Sequence, residues 1–447
     1  MSDDLAAALA LRGETENPVR VGLIGAGEMG TDIVTQISLM KGIEISVLSV
    51  LSAEHAFRAI EIAGLCADSA VVCETDRAVA MAAESGRMAI VEDPELVCGS
   101  DCVDAVIDAT GNPNVGATVA MQAMKNGKHV VMMNVEADVT IGAYLRRQAD
   151  RAGVVYTLGA GDEPSSAMEL INFVTALGYP IVAAGKGKNN PLIFDATPDA
   201  YEEEARRRNM NPRMLVEFVD GSKTMIEMTA IANATGLLPD KPGMHGPNAP
   251  LDSLHHVLCP VEDGGLLSQK GVVDFTVAKG VAPGVFVIAE LSHPRLRERM
   301  RDLKLGPGPY YTFFRPYHLT SLEVPLSAAS AVLFGTSHMR PLETPVAETA
   351  TLAKCDLPVG TTLGAIGETF YRGWAITRED SMKRKAIPLG LAQGAIITQS
   401  VKAGDYLTHE NCRVDEDLKI VQLRRLQDKL LDNIAPRLPP TIYTAAQ

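Results

Sequence analysis

An excess of positive charge is missing from this chain of 447 residues: 41 Lys and Arg stand against 55 Asp and Glu, a formal net charge of −14. That balance excludes wholesale binding to nucleic acid or an anionic membrane, and it makes any local cluster of cations a departure from the global trend. Also missing is any apolar run near the ~18 residues that a membrane-spanning helix needs. The start, MSDDLAAALALRGETENP, has acids where a secretory leader has basic residues, so a cytoplasmic protein is expected. The seven cysteines (Cys66, Cys73, Cys98, Cys102, Cys259, Cys355, Cys412) are odd in number, scattered, and without a C-x-x-C pair. Zinc or redox chemistry therefore has no framework, and free buried thiols are expected. Hydrophobic residues are plentiful at 46%, the composition of a well-buried globular protein, and the length suggests about two to four domains.

Residues 19–30 read VRVGLIGAGEMG, an alternating apolar strand followed at once by Gly25, Gly27 and Gly30 in G-x-G-x-x-G spacing. A helix-compatible run follows, as a pyrophosphate-binding turn requires. The first glycine makes the turn, the second admits the pyrophosphate, and the third lets helix and strand pack closely, with Glu28 and Met29 opening the helix. The next strand, IEISVLSV, ends without the carboxylate that holds an unphosphorylated ribose. Ser49, Ser52 and Arg58 instead suit a 2′-phosphate, so NADP is the expected cofactor. VDAVIDATGNP and GKHVVMMN read as further strands, which places Thr110, Gly111, Asn112, Asn134 and Glu136 at the strand ends facing the crevice of a doubly wound α/β domain. Each of these could equally form a turn.

Beyond this domain the polar residues gather. Asp162 and Glu163 precede a helical run and can cap it or serve a site. In YPIVAAGKGKNNP an apolar strand is expected to empty into a glycine turn carrying Lys186, Lys188 and Asn190, an anion site or a solvated loop. Arg206, Arg207 and Arg208 are consecutive on a predicted helix, so at most one or two can reach a common ligand. Asp220, Lys223 and Glu227 stand at i, i+3 and i+7, spacing that predicts one helix side with a lysine between carboxylates. Arg315, His318, Ser321 and Glu323 crowd RPYHLTSLE.

The fingerprint VGLIGAGEMG, the strand end DATGNP, the strand GKHVVMMN and the turn GAGDEP together resemble homoserine-dehydrogenase-like NAD(P) oxidoreductases. LGYPIVAAGKGKNN is similar to that family's segment after the domain crossover, with KGKNN in place of its Ser/Asn-Gly-Thr turn, and FVDGSKT to the helix bearing its catalytic lysine. AETATLAKCDLPVGTTLGAIGE and AIPLGLAQGAIITQSVKAGDYLTHENC are similar to the SAF-type β-clip module. The combination resembles the 1-deoxy-D-xylulose-5-phosphate reductoisomerase-like enzymes. The resemblance implies an α/β fold with a Rossmann NADP-binding domain (1–155), an α+β catalytic and dimerisation domain (156–345), and a small β-rich SAF-like domain with a C-terminal helix and tail (346–447). It implies an NADPH-dependent reductoisomerase acting on a sugar phosphate, as a homodimer, an assembly that apolar runs such as SAASAVLF also leave open. Lys223, flanked by Asp220 and Glu227, would shuttle the proton at the carbonyl. Lys186, Lys188 and Arg206 or Arg208 would hold phosphate or oxyanion charge, with Asn190, Arg315 and Ser321 as further substrate contacts. Asp162, Glu163, His318 and Glu323 would act as base or hold a divalent metal, Mg²⁺ or Mn²⁺, although no spacing fixes a metal site. Two other readings stay open: an oxidoreductase of this class on another polyol phosphate or amino alcohol, and an NADP-binding sensor without turnover.

Overall fold

The structure, a computed structural model, describes residues 4–432; the tail expected after the last helix lies outside them. Where three consecutive domains are expected, contacts divide the chain into two compact units. One is built from residues up to 165 together with Leu319–Arg340, the other from Ser166–His318 together with residues from 341 on.

The first unit carries seven strands, β1 (Val19–Ile24), β2 (Ile43–Ser49), β3 (Ala70–Val72), β4 (Met88–Val91), β5 (Ala105–Asp108), β6 (His129–Met132) and β7 (Tyr156–Leu158). They form one sheet in the order β3-β4-β2-β1-β5-β6-β7, and every pairing is parallel. Parallel strands are covered on both faces, which is why VRVGLI and AVID read as nearly continuous apolar runs. The chain leaves β1 for β2 on one side and returns for β5 on the other, so a crevice opens outside the strand C-termini at that switch. The segment Leu319–Arg340 completes this unit. Its helix Val324–Phe334 sends Val324, Ala328 and Ala329 into the core beside Leu23, Ile33 and Ile107. The apolar run SAASAVLF is thus used mainly inside the unit.

The second unit is built on a mixed sheet, β12-β11-β8-β10-β9, with β8 (Ile181–Gly187), β9 (Leu238–Pro239), β10 (Val272–Thr276), β11 (Val285–Glu290) and β12 (Tyr310–Arg315). β8 runs parallel to β10 and antiparallel to β11. Helix Ser222–Thr235 is buried at every residue except Lys223, because it packs against β10 and also against the antiparallel pair β13 (Ala347–Ala353) and β14 (Tyr371–Thr377). From β13 onward the chain is rich in short β pairings. These include β15 (Ile396–Ile397) with β16 (Cys412–Arg413) and bridges such as Leu352 with Tyr406 and Leu357 with Val401. Helix Lys419–Asp432 closes the described chain, anchored by a 2.7 Å ion pair from the largely buried Arg424 to Glu348 of β13.

No helix among the described residues is long and apolar enough to cross a membrane. The seven cysteines are free, and four of them, Cys73, Cys98, Cys259 and Cys412, are buried.

The expected turn at GKGKNNP is instead strand: β8 continues through Gly185, Lys186 and Gly187. Neither glycine has a positive φ, so backbone freedom is not why they are there. A Cβ on Gly185 would fall 1.6 Å from the Asp274 carbonyl oxygen, and one on Gly187 would fall 2.2 Å from the Ala282 nitrogen. The glycines let neighbouring backbone close in, while Lys186 and Lys188, two residues apart, share the other face of the strand. Gly185→Ala should therefore cost about 3 kcal/mol of stability, read as a lowered urea midpoint.

Candidate active site

Sequence signals for the nucleotide end converge on the C-termini of β1, β2, β5 and β6. Gly25 has φ +99°, and a Cβ there would lie 2.9 Å from the Ala109 oxygen. On Gly30 a Cβ would stand 2.0 Å from the Gly25 oxygen, so the helix Glu28–Ser38, which Glu28 and Met29 begin, packs on the loop only with glycine. Gly27 differs: its φ is −72°, and a Cβ would meet nothing within 4 Å. That open space at a helix N-terminus fits a pyrophosphate. The Gly25 N–H donates to the Ser49 carbonyl (2.9 Å), tying the loop to the end of β2. No acid stands between the buried Ser49 and Ser52, which precedes helix Ala53–Ile62; Arg58 is exposed on that helix.

The turn-forming alternative holds for several strand-end residues. Asn112 caps the helix Pro113–Lys125, accepting from the N–H groups of Asn114 (3.0 Å) and Val115 (3.2 Å). Asn134 caps Val135–Ala152 by accepting from the Ala137 N–H (3.1 Å). Gly111 takes φ +62°, and Glu136 is buried in the first turn of the helix that Asn134 caps. Sequence reasoning passed over Asp108, the acid of DATGNP. It is fully buried at the end of β5 and accepts from Thr110 Oγ1 (2.7 Å), the Thr110 N–H (3.0 Å) and Asn134 Nδ2 (3.4 Å). Burial lifts its carboxyl to about 6 against those hydrogen bonds. An acid closing an otherwise apolar strand was the available signal.

The second unit concentrates buried charge. Lys186 and Lys188 are each 5% exposed. Lys186 pairs with Glu227, whose side chain is fully buried in the helix Ser222–Thr235. Lys188 Nζ donates to the Phe218 carbonyl. Burial, then the neighbouring Lys186 ammonium, push Lys188 down to about 8, with Glu227 and Asp220 pulling the other way.

The helix side predicted for Asp220, Lys223 and Glu227 is broken. Asp220 ends the helix Pro212–Val219, and Gly221, at φ +85°, turns the chain before the next helix starts at Ser222. The Asp220 carboxylate lies 2.6 Å from Lys354, a buried ammonium that also donates to the carbonyls of Ala196 (2.9 Å) and Glu368 (2.7 Å). Burial pushes the Asp220 carboxyl above its usual range, opposed by Lys354. Lys223 stands half-buried in the first turn of the second helix. Sequence reasoning missed Lys354 because its partner lies far away in the chain.

Arg206 and Arg208 form i,i+4 pairs with Glu202 (3.0 Å) and Glu204 (3.3 Å) on a solvated helix face. The cluster RPYHLTSLE is divided between the units after His318. Arg315 pairs with Glu169 (2.9 Å) and bonds Ser166 (3.1 Å), while His318 Nδ1 lies 2.6 Å from the Pro283 carbonyl. In the first unit, Ser321 donates to Asp32 (2.8 Å) and Glu323 accepts from the Leu319 N–H (3.2 Å). Glu163 begins the helix Glu163–Ala176, a favourable place for an acid, with Asp162 half-buried just before it. Asn190 is half-buried in the loop beyond β8.

Comparison with known proteins agrees on class. Residues 25–158 match the family model described as homoserine dehydrogenase, NAD binding domain, and residues 161–324 match oxidoreductase DRL, catalytic domain. No curated protein matches the chain. Among solved structures, it is similar to a probable dehydrogenase from Thermotoga maritima, at 13% identity and TM-score 0.42 over 71% of this chain and 90% of that one. It is also similar to scyllo-inositol dehydrogenase from Lactobacillus casei with NAD(H) and scyllo-inositol, at 15% identity and TM-score 0.35 over 61% and 73%. Likeness at that distance bears on neither site nor substrate. The two family matches, with the loop geometry at Gly25, Gly27 and Gly30, make the protein an NAD(P)-dependent oxidoreductase.

Gly27→Ala should leave the melting temperature of the nucleotide-free protein unchanged yet weaken NADPH binding by about tenfold or more, some 1.4 kcal/mol, measured by fluorescence titration. The folded value of Lys188, about 8, lies below its ordinary 10.5. Between these values the unfolded chain holds more protons, so the stability contributed by this residue rises with pH across that window. Lys188→Met should flatten the rise, by about 3 kcal/mol at most, in denaturant midpoints compared from pH 7 to pH 10.5.

Proposed function

We propose that the protein is an NADPH-dependent oxidoreductase that reduces the carbonyl of a small polyol phosphate, with 1-deoxy-D-xylulose 5-phosphate, converted to 2-C-methyl-D-erythritol 4-phosphate, as its reductoisomerase substrate. The observation that carries the reading is the buried trio Lys186, Glu227 and Lys188, in which one lysine is held near pKa 8 by burial and a second cation. A general acid works best when its pKa lies near the working pH, and perturbed groups of this kind mark sites more often than cores.

The nicotinamide, when bound, supplies the hydride to the carbonyl carbon. Lys188 supplies the proton to the carbonyl oxygen, and its lowered pKa makes that transfer easier than from an ordinary lysine. Lys186 keeps its charge through Glu227 and stabilises the negative charge growing on that oxygen. Glu227 remains the counter-ion that makes two adjacent buried ammonium groups tolerable. For the rearrangement that precedes reduction, neutral Lys188 takes the proton of the substrate hydroxyl and returns it to the oxygen of the original ketone, and it takes up a further proton from solvent before it serves the reduction. NADPH is favoured over NADH because serines, with no acid among them, close β2. The short antiparallel pairings after β13 suit the SAF-type reading of the C-terminal segment. The homoserine-dehydrogenase-type match also supports the second reading, the same chemistry on a different polyol phosphate or an amino alcohol.

Loss of absorbance at 340 nm on mixing the protein with 1-deoxy-D-xylulose 5-phosphate and NADPH, with and without Mg²⁺ or Mn²⁺, is the expected result. Its absence in every arm rejects that substrate, and a panel of polyol phosphates then tests the class. Lys188→Ala should lower kcat by about 100-fold or more while leaving NADPH affinity intact. If Lys223→Ala rather than Lys188→Ala abolishes turnover, the proton belongs to Lys223.

A further inference from the structure

Strand β14 reads YRGWAIT and carries the chain's single tryptophan. Arg372 and Trp374, two residues apart, lie on one face of the strand. The Arg372 guanidinium carbon sits 4.6 Å from the centre of the Trp374 ring and 4.1 Å from that of Phe194, and the two rings meet edge to face at 5.6 Å. The indole is itself fixed. A Cβ on Gly243 would fall 2.0 Å from Trp374 Cζ2, so that backbone lies directly against the ring, and the Gly243 N–H bonds the Ala375 carbonyl at 2.8 Å.

Arg372 is only 7% exposed. A guanidinium carries five N–H donors and stays charged, so burial demands acceptors. Among the described residues it makes one hydrogen bond, a long 3.4 Å contact with the Gly373 carbonyl, and no carboxylate pairs with it. Burial lowers its pKa, with Asp220 opposing. The aromatic rings hold the plane in position but accept no hydrogen bonds in that plane.

The location ties this arginine to the buried lysines. Gly373 donates its N–H to Ser222 Oγ (2.8 Å), Ser222 donates its own N–H to Asp220 (2.8 Å), and Phe218, two residues earlier, takes Lys188. A five-residue stretch, 218–222, therefore touches Lys188 at one end and the backbone beside Arg372 at the other. Arg206 and Arg208, the arginines expected at phosphate, make pairs with Glu202 and Glu204 on an exposed helix face, whereas Arg372 is buried.

We infer that Arg372, framed by Phe194 and Trp374, is the anchor for the anionic group of the substrate, a phosphate or a carboxylate. This deepens the proposed function, whose substrate must then carry such a group, and its test does not use turnover. The whole protein is saturated with NADPH, so that the nucleotide loop is filled, and titrated with inorganic phosphate, glycerol 3-phosphate and glycerate while its melting temperature is followed. Wild-type protein should be stabilised by at least one of these, and Arg372→Gln should weaken that ligand by about tenfold or more. Arg372→Lys, which keeps the charge but loses the planar fork, should fall between. Preference for glycerol 3-phosphate over glycerate assigns a phosphate, and the reverse a carboxylate. Should Arg372→Gln fail to fold, Phe194→Ala at the half-exposed ring must still weaken binding several-fold. The inference is overturned if none of the three ligands stabilises the wild type. It is equally overturned if affinity is unchanged in the variants while the melting temperature drops, which would make Arg372 a strut. Binding that depends on Arg372 without turnover of 1-deoxy-D-xylulose 5-phosphate would reject that substrate and keep the anchor.

Discussion

Four buried cations of the second unit, Lys186, Lys188, Lys354 and Arg372, set the terms for the arrangement around them, because each needs something to answer its charge. Glu227 takes Lys186 and Asp220 takes Lys354. Lys188 receives a backbone carbonyl, and Arg372 receives two aromatic faces. Burying an ion costs several kcal/mol unless it is paired, so a chain of net charge −14 has no reason of solubility or stability to place cations here. The cost is intelligible if an anion, or negative charge developing on a reacting oxygen, completes the account.

The surrounding fold is arranged around that charge. Glycines on the opposite face of β8 admit backbone where side chains would clash, which lets the strand sit deep in its sheet. The helix carrying Glu227 is buried at nearly every residue because it has packing partners on β10, β13 and β14. The C-terminal β-rich segment supplies Lys354 and Arg372, so it is part of the charge cluster and more than an appendage.

How much of this could be read in the sequence depended on the range of the interactions. The nucleotide loop was legible because strand, glycines and helix are contiguous and the reason for each glycine is local. The sequence also identified Lys186 and Lys188 as unusual, but mistook their setting. Gly185 and Gly187 suggested a turn because glycine is read first as a residue for positive φ, whereas here it answers to the Asp274 and Ala282 backbone far along the chain. The i, i+3, i+7 pattern of Asp220, Lys223 and Glu227 failed because one glycine, Gly221, breaks the helix between them. Lys354 and Arg372 escaped notice because they reach residues 218–222 only through tertiary contact. Arg372 did leave a trace, as an arginine two places from the single tryptophan on a strand.

The return of Leu319–Arg340 into the first unit has a consequence for biosynthesis. Its helix Val324–Phe334 lies in the same core as β1 and β5, yet all of residues 166–318 must be made first. During translation the nucleotide-binding half emerges early but with part of its apolar interior uncovered, and it can close only after Leu319–Arg340 has been made and has left the ribosome. A fragment cut at Ser165 would expose that seam permanently, so completion of the first unit waits on a segment made after residues 166–318.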